Sequence, residues 1–281
     1  MEKARKPLAP VLKWAGGKRQ LISSILPLLP RNIGDYLYVE PFLGGGAMLF
    51  HLQPKRALVN DYNEELINAY QVIKTKPSEL IRHLQQHENN ADYFYRIRSI
   101  DRSPAYKKLT AVERASRIIY LNKTCFNGLY RVNSAGAFNA PFGRYKNPNI
   151  VNADGLQLMH EYLNNNDVQI MSGDYHDILK KANKKSFVYL DPPYHPVSSS
   201  SSFTGYVRGG WNEDSQRALK KACDQLNKKG VKFLLSNSAT AFIVDLYKDY
   251  SITIVKASRA INSNASDRGV VDEVLVRNYK Q

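Results

Sequence analysis

The chain has 281 residues, with 40 Lys plus Arg against 25 Asp plus Glu, so its formal net charge at pH 7 is +15. This excess favours a polyanionic partner. At 43% hydrophobic and 23% charged residues, the composition excludes a disordered or collagen-like chain. Its sequence contains neither an apolar run long enough to span a bilayer nor a signal-peptide pattern at its start, so we expect a cytoplasmic protein without a membrane partner.

The pattern between Asp35 and Asp61 is strand, turn, helix and strand, in the sequences DYLYVE, PFLGGG, AMLFHL and RALVND. This is half of a dinucleotide-type unit. A helix is predicted from Glu64 to about Ile73 and another begins after Pro77. The pattern then stays mostly helical through Arg117.

The segment from Asn122 to Asn149 is rich in Asn, Gly and Pro and predicts a loop or short β-hairpin, with strands near Tyr130 and Phe138. Between Ala91 and Ile150, 11 basic and 3 acidic residues leave a net charge of 11 − 3 = +8. Basic residues interleaved with aromatic ones suit phosphate neutralisation combined with base contact. The alternative is a solvated helix surface over a small aromatic core.

Sheet patterns return in DVQIMSGD and SFVYLDPPY, separated by a short helical stretch near residues 175–182. A helix capped by Gly230 follows, then the strand VKFLLSNS and two further strands, SITIVKA and VVDEVLVRNY. The fold class is therefore α/β. We predict one sheet domain, made of residues 1–63 and 160–281 and interrupted by a second domain at residues 64–159.

Cysteine and histidine are too sparse to indicate a metal site. Cys125 and Cys223 can form neither a disulfide framework nor a four-thiolate zinc site, and we expect both to be free thiols. His83 and His87 lie one helical turn apart without a further ligand nearby, which is typical of a solvated helix face. We predict no bound metal.

The most specific local motif is Asp191-Pro192-Pro193-Tyr194, which directly follows a buried-strand pattern. In open α/β sheets, ligands bind at the carboxyl ends of the strands. The two prolines remove N–H donors, so carbonyl oxygens and the Asp191 carboxylate remain as acceptors beside an aromatic ring. This set suits the exocyclic amine of a base, with Tyr194 stacked on the ring. The alternative is a strand-ending turn with a buried Tyr.

A second motif joins Glu40, Pro41 and Phe42 to the glycines Gly44 and Gly46, between a strand and a helix. Asp61 ends the next strand, seventeen positions after Gly44. Glycines let a ligand approach the backbone, and an acid at the end of the second strand can bind ribose hydroxyls. We interpret these residues as a site for an adenosine-containing ligand. A tight turn made for packing is the alternative.

The sequence KWAGGKRQ, from Lys13 to Gln20, is not a phosphate loop, because Arg19 stands where Ser or Thr would hold magnesium. Trp14 and Lys18 beside glycines still fit a lid over a charged cofactor. A Trp that only packs is the other interpretation.

In this order, the three motifs resemble the Dam-type, D12 class DNA adenine-N6 methyltransferases of α motif order that modify GATC. The resemblance covers essentially the whole chain. The matching sequences are KWAGGKRQL, VEPFLGGGA, VNDYNEELIN, NGLYRVN, FNAPFGRYKNP, YLDPPY, FTGY, LLSNS and RGVVDEVLVRNY. The central pair, NGLYR and PFGRYK, is the most discriminating, since DPPY occurs in several amino-methylating families.

The resemblance implies a Rossmann-like sheet that binds S-adenosylmethionine, with an inserted, mainly helical DNA-recognition domain that carries a β-hairpin. Trp14 and Lys18 match the motif that contacts the cofactor, Asp61 matches the acid on its ribose, and Asp174 matches a position against its adenine. Asp191 matches the first residue of the catalytic motif.

For the hairpin, the resemblance implies contacts with double-stranded DNA. Arg131 matches the arginine that reads the guanine of GATC, while Leu129 and Pro141 match apolar contacts near thymine. Phe126 stands where a Tyr often inserts near the target pair. The remaining DNA-binding positions are Asn127, Asn133 and Arg144.

The implied reaction is methyl transfer to adenine N6 by base flipping, in a monomer inside a bacterial or phage-type cell. An RNA or protein-amide methyltransferase that shares DPPY, and a non-catalytic DNA-binding module on the same fold, remain as alternatives. The sequence leaves open whether a cognate restriction endonuclease accompanies the enzyme.

Overall fold

The structure is a computed structural model that describes residues 8–14, 18–197, 210–258 and 270–280. Parts of three motifs lie outside the described residues: 15–17 in KWAGGKRQL, FTGY at 203–206, and the first two positions of RGVVDEVLVRNY.

The described residues form one mixed sheet of seven strands. These are β1 (Leu37–Glu40), β2 (Arg56–Asp61), β3 (Asp167–Ser172), β4 (Ser186–Leu190), β5 (Lys232–Ser238), β6 (Ser251–Ser258) and β7 (Val270–Arg277). Their order in the sheet is β3-β2-β1-β4-β5-β7-β6. Strand β1 is parallel to β2 and β4, and β4 is parallel to β5, whereas β7 is antiparallel to both of its neighbours. The predicted α/β class is confirmed.

Ten helices accompany these strands in the described part of the chain. They are α1 (Ile22–Ile25), α2 (Ala47–Leu52), α3 (Glu64–Thr75), α4 (Pro77–Leu84), α5 (Ala91–Ser99), α6 (Ala111–Thr124), α7 (Ala153–Asn165), α8 (Tyr175–Lys180), α9 (Glu213–Lys228) and α10 (Ala241–Leu246). No prediction above covers α7 or α10. Within the described ranges, none of the helices has the length and apolar character needed to cross a membrane.

The chain divides into two compact units. The first unit consists of residues 1–17, 44–55 and 63–172, and the second of residues 18–43, 56–62 and 173–281. The first unit is mainly helical and contains α2 to α7. The functional boundaries predicted from the sequence, 1–63 with 160–281 and 64–159, stay a prediction.

The register of the second unit brings its strand ends together. All five residues of β4 are buried, as expected for a central parallel strand with an unbroken apolar pattern. Val39 of β1 pairs with Val188, and Leu190 pairs with Leu235 of β5. Glu40 and Asp191 therefore leave the sheet at its carboxyl edge, where ligands bind in this class of sheet.

The hairpin expected near Tyr130 and Phe138 is only partly formed, since the described residues there contain no continuous strand. Two isolated antiparallel bridges join Cys125 to Phe142 and Val132 to Phe138. Side-chain hydrogen bonds join the two stretches in addition to these bridges. Arg131 Nε donates to Asn139 Oδ1 at 2.8 Å, and Arg131 Nη2 donates to the Asn139 carbonyl at 3.2 Å. An Asn- and Gly-rich sequence offers the backbone such local partners in place of a ladder.

Candidate active site

The Asp191 carboxylate, directly after β4, is held by two donors from the second unit. Lys18 Nζ lies 2.7 Å from Asp191 Oδ1, and the Ser236 hydroxyl donates to the same oxygen at 3.0 Å. The side chain of Lys18 is only 6% exposed and that of Asp191 is 20% exposed. The pair is therefore a desolvated ion pair, in which removal of either partner leaves a buried charge.

Burial raises the pKa of Asp191 above its ordinary value, while the charge and hydrogen bond of Lys18 and the hydroxyl of Ser236 act in the opposite direction. The lysine thus favours the ionised carboxylate in a site that otherwise disfavours it. An ionised carboxylate only accepts hydrogen bonds, which is the state needed to bind an amine.

Tyr194 contacts the same cation. Lys18 Nζ stands 4.2 Å from the centroid of the Tyr194 ring, a cation–π arrangement. The Tyr194 hydroxyl donates to Glu273 Oε2 of β7 at 2.8 Å. The Lys18 ammonium therefore contacts both the Asp191 carboxylate and the Tyr194 ring. These are the two groups that the sequence analysis predicts to bind a planar amine.

Buried polar side chains fix the backbone after the two prolines. Gln216 Nε2 of α9 donates to the Pro193 carbonyl at 2.9 Å, and Gln216 Oε1 accepts from Asn237 Nδ2 at 3.1 Å. Asn237 Oδ1 accepts from the His195 backbone N–H at 3.0 Å, and the Ser238 hydroxyl donates to the His195 carbonyl at 2.6 Å. The motif is thus set by fully buried groups rather than by solvent.

The residues that support the motif were missed in the sequence. They are Ser236, Asn237 and Ser238 of β5, Gln216 of α9 and Glu273 of β7, all of them buried. A signal was present in LLSNS, because three polar residues at the end of an otherwise apolar strand need buried partners.

The second unit also contains the predicted cofactor residues at the ends of β1 and β2. Glu40 is buried, and its carboxylate accepts from the Tyr38 hydroxyl at 2.9 Å. Asn60 Nδ2 donates to the Pro41 carbonyl at 3.1 Å and to the Gly173 carbonyl at 2.9 Å. The Gly173 N–H donates to the Asp61 carbonyl at 3.1 Å, so one hydrogen-bonded set joins three turns at this edge.

An aromatic wall lies beside this edge. The ring of Phe42 is 5.2 Å from that of Tyr175 and 5.6 Å from that of Trp211. Trp211 Nε1 is buried and has no hydrogen-bond partner among the described residues. Asp174 Oδ1 accepts from the His176 backbone N–H at 2.8 Å, which caps α8, and its side chain is 53% exposed.

In the first unit, Gly44 and Gly46 have positive φ angles of 50° and 68°. A Cβ atom at Gly46 would lie 2.6 Å from the ring of Phe50, and one at Gly44 would lie 3.1 Å from that of Trp14. Trp14 itself stacks on Tyr130, with the ring centroids 4.7 Å apart. Close packing thus accounts for both glycines, and Trp14 meets a residue of the central NGLYR sequence.

The recognition segment, which we define as residues 125–149, projects polar and apolar groups from the first unit. Phe126 is 58% exposed, and Asn127 follows it with a left-handed φ of 59°. Pro141 and Arg144 are exposed and Leu129 is half-buried. Of these five predicted DNA-binding residues, four are thus exposed and one is half-buried.

Two of the predicted DNA-binding residues have structural partners. Asn133 Oδ1 accepts from the backbone N–H groups of Ala135 and Ala137, so it shapes the turn. Arg131 is bonded to Asn139, as described above. Both assignments as DNA contacts stay predictions.

His87 and the two cysteines are packing residues in this structure. His87 accepts or donates hydrogen bonds with the Tyr93 and Ser116 hydroxyls at 2.8 and 2.9 Å, and burial lowers its pKa to about 4. It is therefore not the solvated residue that the helical spacing favoured. Cys125 and Cys223 are buried free thiols.

At the carboxyl edge of the parallel strands, the Lys18 ammonium thus contacts both the buried Asp191 carboxylate and the Tyr194 ring. The model of the D12 class N6 adenine-specific DNA methyltransferases matches residues 14–261, and the chain belongs to this family. It is an adenine-specific DNA methyltransferase.

Relatives along the full length agree with this assignment. The chain is 45% identical to the type II methyltransferase M1.LlaDCHI of Lactococcus lactis subsp. cremoris, over 99% of this chain and 98% of the relative. It is 39% identical to the type II methyltransferase M.MjaIII of Methanocaldococcus jannaschii, over 96% and 99%. It is 33% identical to the DNA adenine methylase of Escherichia coli K12, over 94% and 93%.

Proposed function

We propose that the enzyme transfers the methyl group of S-adenosylmethionine to adenine N6 within GATC in double-stranded DNA, by base flipping and direct transfer. The observation that carries the proposal is the contact of one ammonium group, that of Lys18, with both the Asp191 carboxylate and the Tyr194 ring. An acceptor beside an aromatic face is what an exocyclic amine on a purine requires.

The second unit fits S-adenosylmethionine. The Phe42, Tyr175 and Trp211 rings suit a purine, and the orphaned Nε1–H of Trp211 has a hydrogen bond to offer. Asp61 would bind the ribose hydroxyls, and the Glu40 carboxylate suits the positive charge of the cofactor. When bound, the cofactor supplies an electrophilic methyl group on a sulfonium sulfur.

The protein's part in the reaction is to position the amine. Adenine N6 is a poor nucleophile because its lone pair is delocalised into the ring. Hydrogen bonds from N6 to the Asp191 carboxylate and the Pro192 carbonyl would localise that lone pair toward the methyl group. N6 would take the methyl group with inversion as the bond from that carbon to the sulfonium sulfur breaks, so that the cofactor leaves as a neutral thioether. The proton that N6 loses would pass to the Asp191 carboxylate and from there to solvent, and no covalent intermediate with the enzyme would form.

The target adenine has to leave the helix stack before it reaches Asp191. The exposed Phe126 ring fits the role of a wedge that fills the gap, since an apolar side chain can insert between base steps. Tyr194 would then hold the extruded base by stacking.

Sequence reading is assigned to the recognition segment. Arg131 would bind guanine O6 and N7 in exchange for its two bonds to Asn139, so no donor is left unpaired. Leu129 and Pro141 would contact the thymine methyl group. Asn127, Asn133 and Arg144 would fix the register on phosphates or base edges.

The test compares tritiated-methyl transfer to a GATC duplex, a duplex with a scrambled site, an RNA of the same sequence and a mixture of cellular proteins. We expect labelling of the GATC duplex alone. Labelling of RNA or protein at a similar rate, or of the scrambled duplex, overturns the proposed substrate.

We propose that a monomer suffices for this reaction. Two relatives are named type II methyltransferases, which supports a role beside a cognate restriction endonuclease. Plasmid from cells that express the protein should resist nucleases blocked by methylated GATC and be cut by nucleases that depend on it. Sedimentation of the protein on a single-site duplex tests the oligomeric state.

A further inference from the structure

Basic side chains near the end of α5 bind the backbone of the recognition segment. Arg98 Nη1 donates to the Ala140 carbonyl at 3.1 Å, and Arg102 Nη2 donates to the Phe138 carbonyl at 2.7 Å. Both arginines belong to the +8 charge that the sequence assigns to DNA binding. In this structure these donors are directed at peptide groups.

Asp101, between these two arginines in the sequence, binds the peptide group that precedes the one whose carbonyl Arg102 binds. Its Oδ2 accepts from the Phe138 backbone N–H at 2.8 Å and lies 2.8 Å from Arg117 Nη2, while its Oδ1 accepts from Arg102 Nη1 at 3.2 Å. The side chains of Asp101 and Arg117 are 11% and 9% exposed. Phe138 is therefore bound at its N–H by a carboxylate and at its C=O by a guanidinium, both charge-assisted bonds. We call Arg98, Asp101 and Arg102 the backbone clamp.

The residues that the clamp binds are paired with the neighbours of Arg131, the predicted guanine-binding residue. Phe138 pairs with Val132 in an isolated bridge, and the Asn139 N–H donates to the Arg131 carbonyl at 2.8 Å. Asn139 also accepts from the Arg131 side chain. The clamp therefore holds the residues on both sides of Asn139, which is the partner of the Arg131 guanidinium.

We propose that Arg98, Asp101 and Arg102 are positioning residues for base recognition, which set the selectivity of the enzyme by holding residues 138–140 and through them Arg131. The inference rests on the proposed function, in which Arg131 reads guanine. A bidentate contact requires placement within about 0.5 Å, so a released backbone weakens discrimination before it weakens general DNA affinity.

The decisive variant is Arg102→Gln, with Arg82→Gln as its matched control. Both remove one positive charge from an exposed arginine of the first unit, but Arg82 lies on α4 and is not part of the backbone clamp. The measurements are kcat/KM on a GATC duplex and on a duplex with the guanine replaced, and the slope of log Kd against log salt.

For Arg102→Gln we expect the ratio of the two kcat/KM values to fall by roughly tenfold, since part of the guanine contact is lost. Its salt slope should equal that of Arg82→Gln. A slope lower by about 1 with full selectivity would instead show that Arg102 neutralises a phosphate, and it would overturn the inference.

Asp101→Asn also separates positioning from charge, because it changes the net charge in the direction opposite to Arg102→Gln. The variant gains one positive unit, so an electrostatic role predicts tighter binding to every sequence, whereas a positioning role predicts lower selectivity. Assays are run well below the Tm of each variant so that stability does not enter. Selectivity equal to wild type in both Asp101→Asn and Arg102→Gln rejects the clamp.

The two proposals fail in different ways. If wild-type enzyme does not prefer GATC, or if Arg131→Ala keeps full selectivity, the proposed reading by Arg131 is wrong. If both behave as expected while the clamp variants stay fully selective, the reading stands and only the clamp is wrong.

Discussion

The Asp191-Pro192-Pro193-Tyr194 motif and the recognition segment are held in place by different means. The motif extends from a central strand and is fixed by buried side chains of β5, α9 and β7. The segment has two isolated bridges and depends on charged side chains from α5 and the turn after it. The proposed catalytic motif is thus anchored in the sheet, whereas the segment proposed to read the DNA sequence is held by a few contacts of charged side chains. The two functions should respond separately to substitution.

The largest effect is expected for Asp191→Ala. Loss of the acceptor for N6 should lower methyl transfer by on the order of 10³-fold, because the amine is no longer oriented or activated. DNA affinity should stay near wild type, which filter binding measures beside the tritiated-methyl assay. Asp177→Ala, an exposed acid on α8, is the control. Near-normal turnover of Asp191→Ala would refute the assigned role.

The converse result is expected for Arg131→Ala. Discrimination at the guanine position should drop by about 1–3 kcal/mol, with little change on non-cognate DNA. Competition between duplexes altered at single positions gives this directly. A uniform loss of activity over all sequences would instead show that Arg131 contacts a phosphate. The motif and the recognition segment would then not respond separately to substitution.

Lys18→Met tests the electrostatics of the motif. Activity needs the ionised Asp191, so it is lost as the pH falls through the pKa of this carboxyl. Burial raises that pKa and Lys18 opposes the rise; without the lysine, the acidic limb of the kcat/KM profile should move upward by at least about one pH unit. Lys180→Met, on the exposed face of α8, should leave the limb in place. An unmoved limb in Lys18→Met would contradict the ion pair's role.

The smallest effect is expected for the hydrogen bond between Tyr194 and Glu273. Glu273→Gln and Tyr194→Phe should each lower kcat about fivefold, in line with about 1 kcal/mol for one hydrogen bond. The double variant should be little worse than either single one, because both changes remove the same contact. Asp272→Asn, exposed on the same strand, is the control. Fully additive losses would show that Glu273 does not act through Tyr194.

The sequence was sufficient for the α/β class and for the elements with strong periodicity, such as β4 and α3, since burial patterns depend on local residue order. It was insufficient where partners are distant along the chain. The role of Gln216 depends on packing against Pro193 and Asn237, and the targets of Arg98 and Arg102 are peptides about 40 positions away. A basic residue looks the same in the sequence whether its partner is a phosphate or a carbonyl.

Within the first unit, the Asn122 side chain links the stretch at Lys13 to the stretch at Gly128. Its side-chain amide accepts from the Lys13 N–H at 2.9 Å and donates to the Lys13 and Gly128 carbonyls at 2.7 and 3.0 Å, so it imitates a peptide group between two distant stretches. Trp14, next along the chain, stacks on Tyr130. Residues 13–14 and residues 122–130 are thus tied together within the first unit, so an Asn122 substitution should loosen both stretches as one cooperative unit.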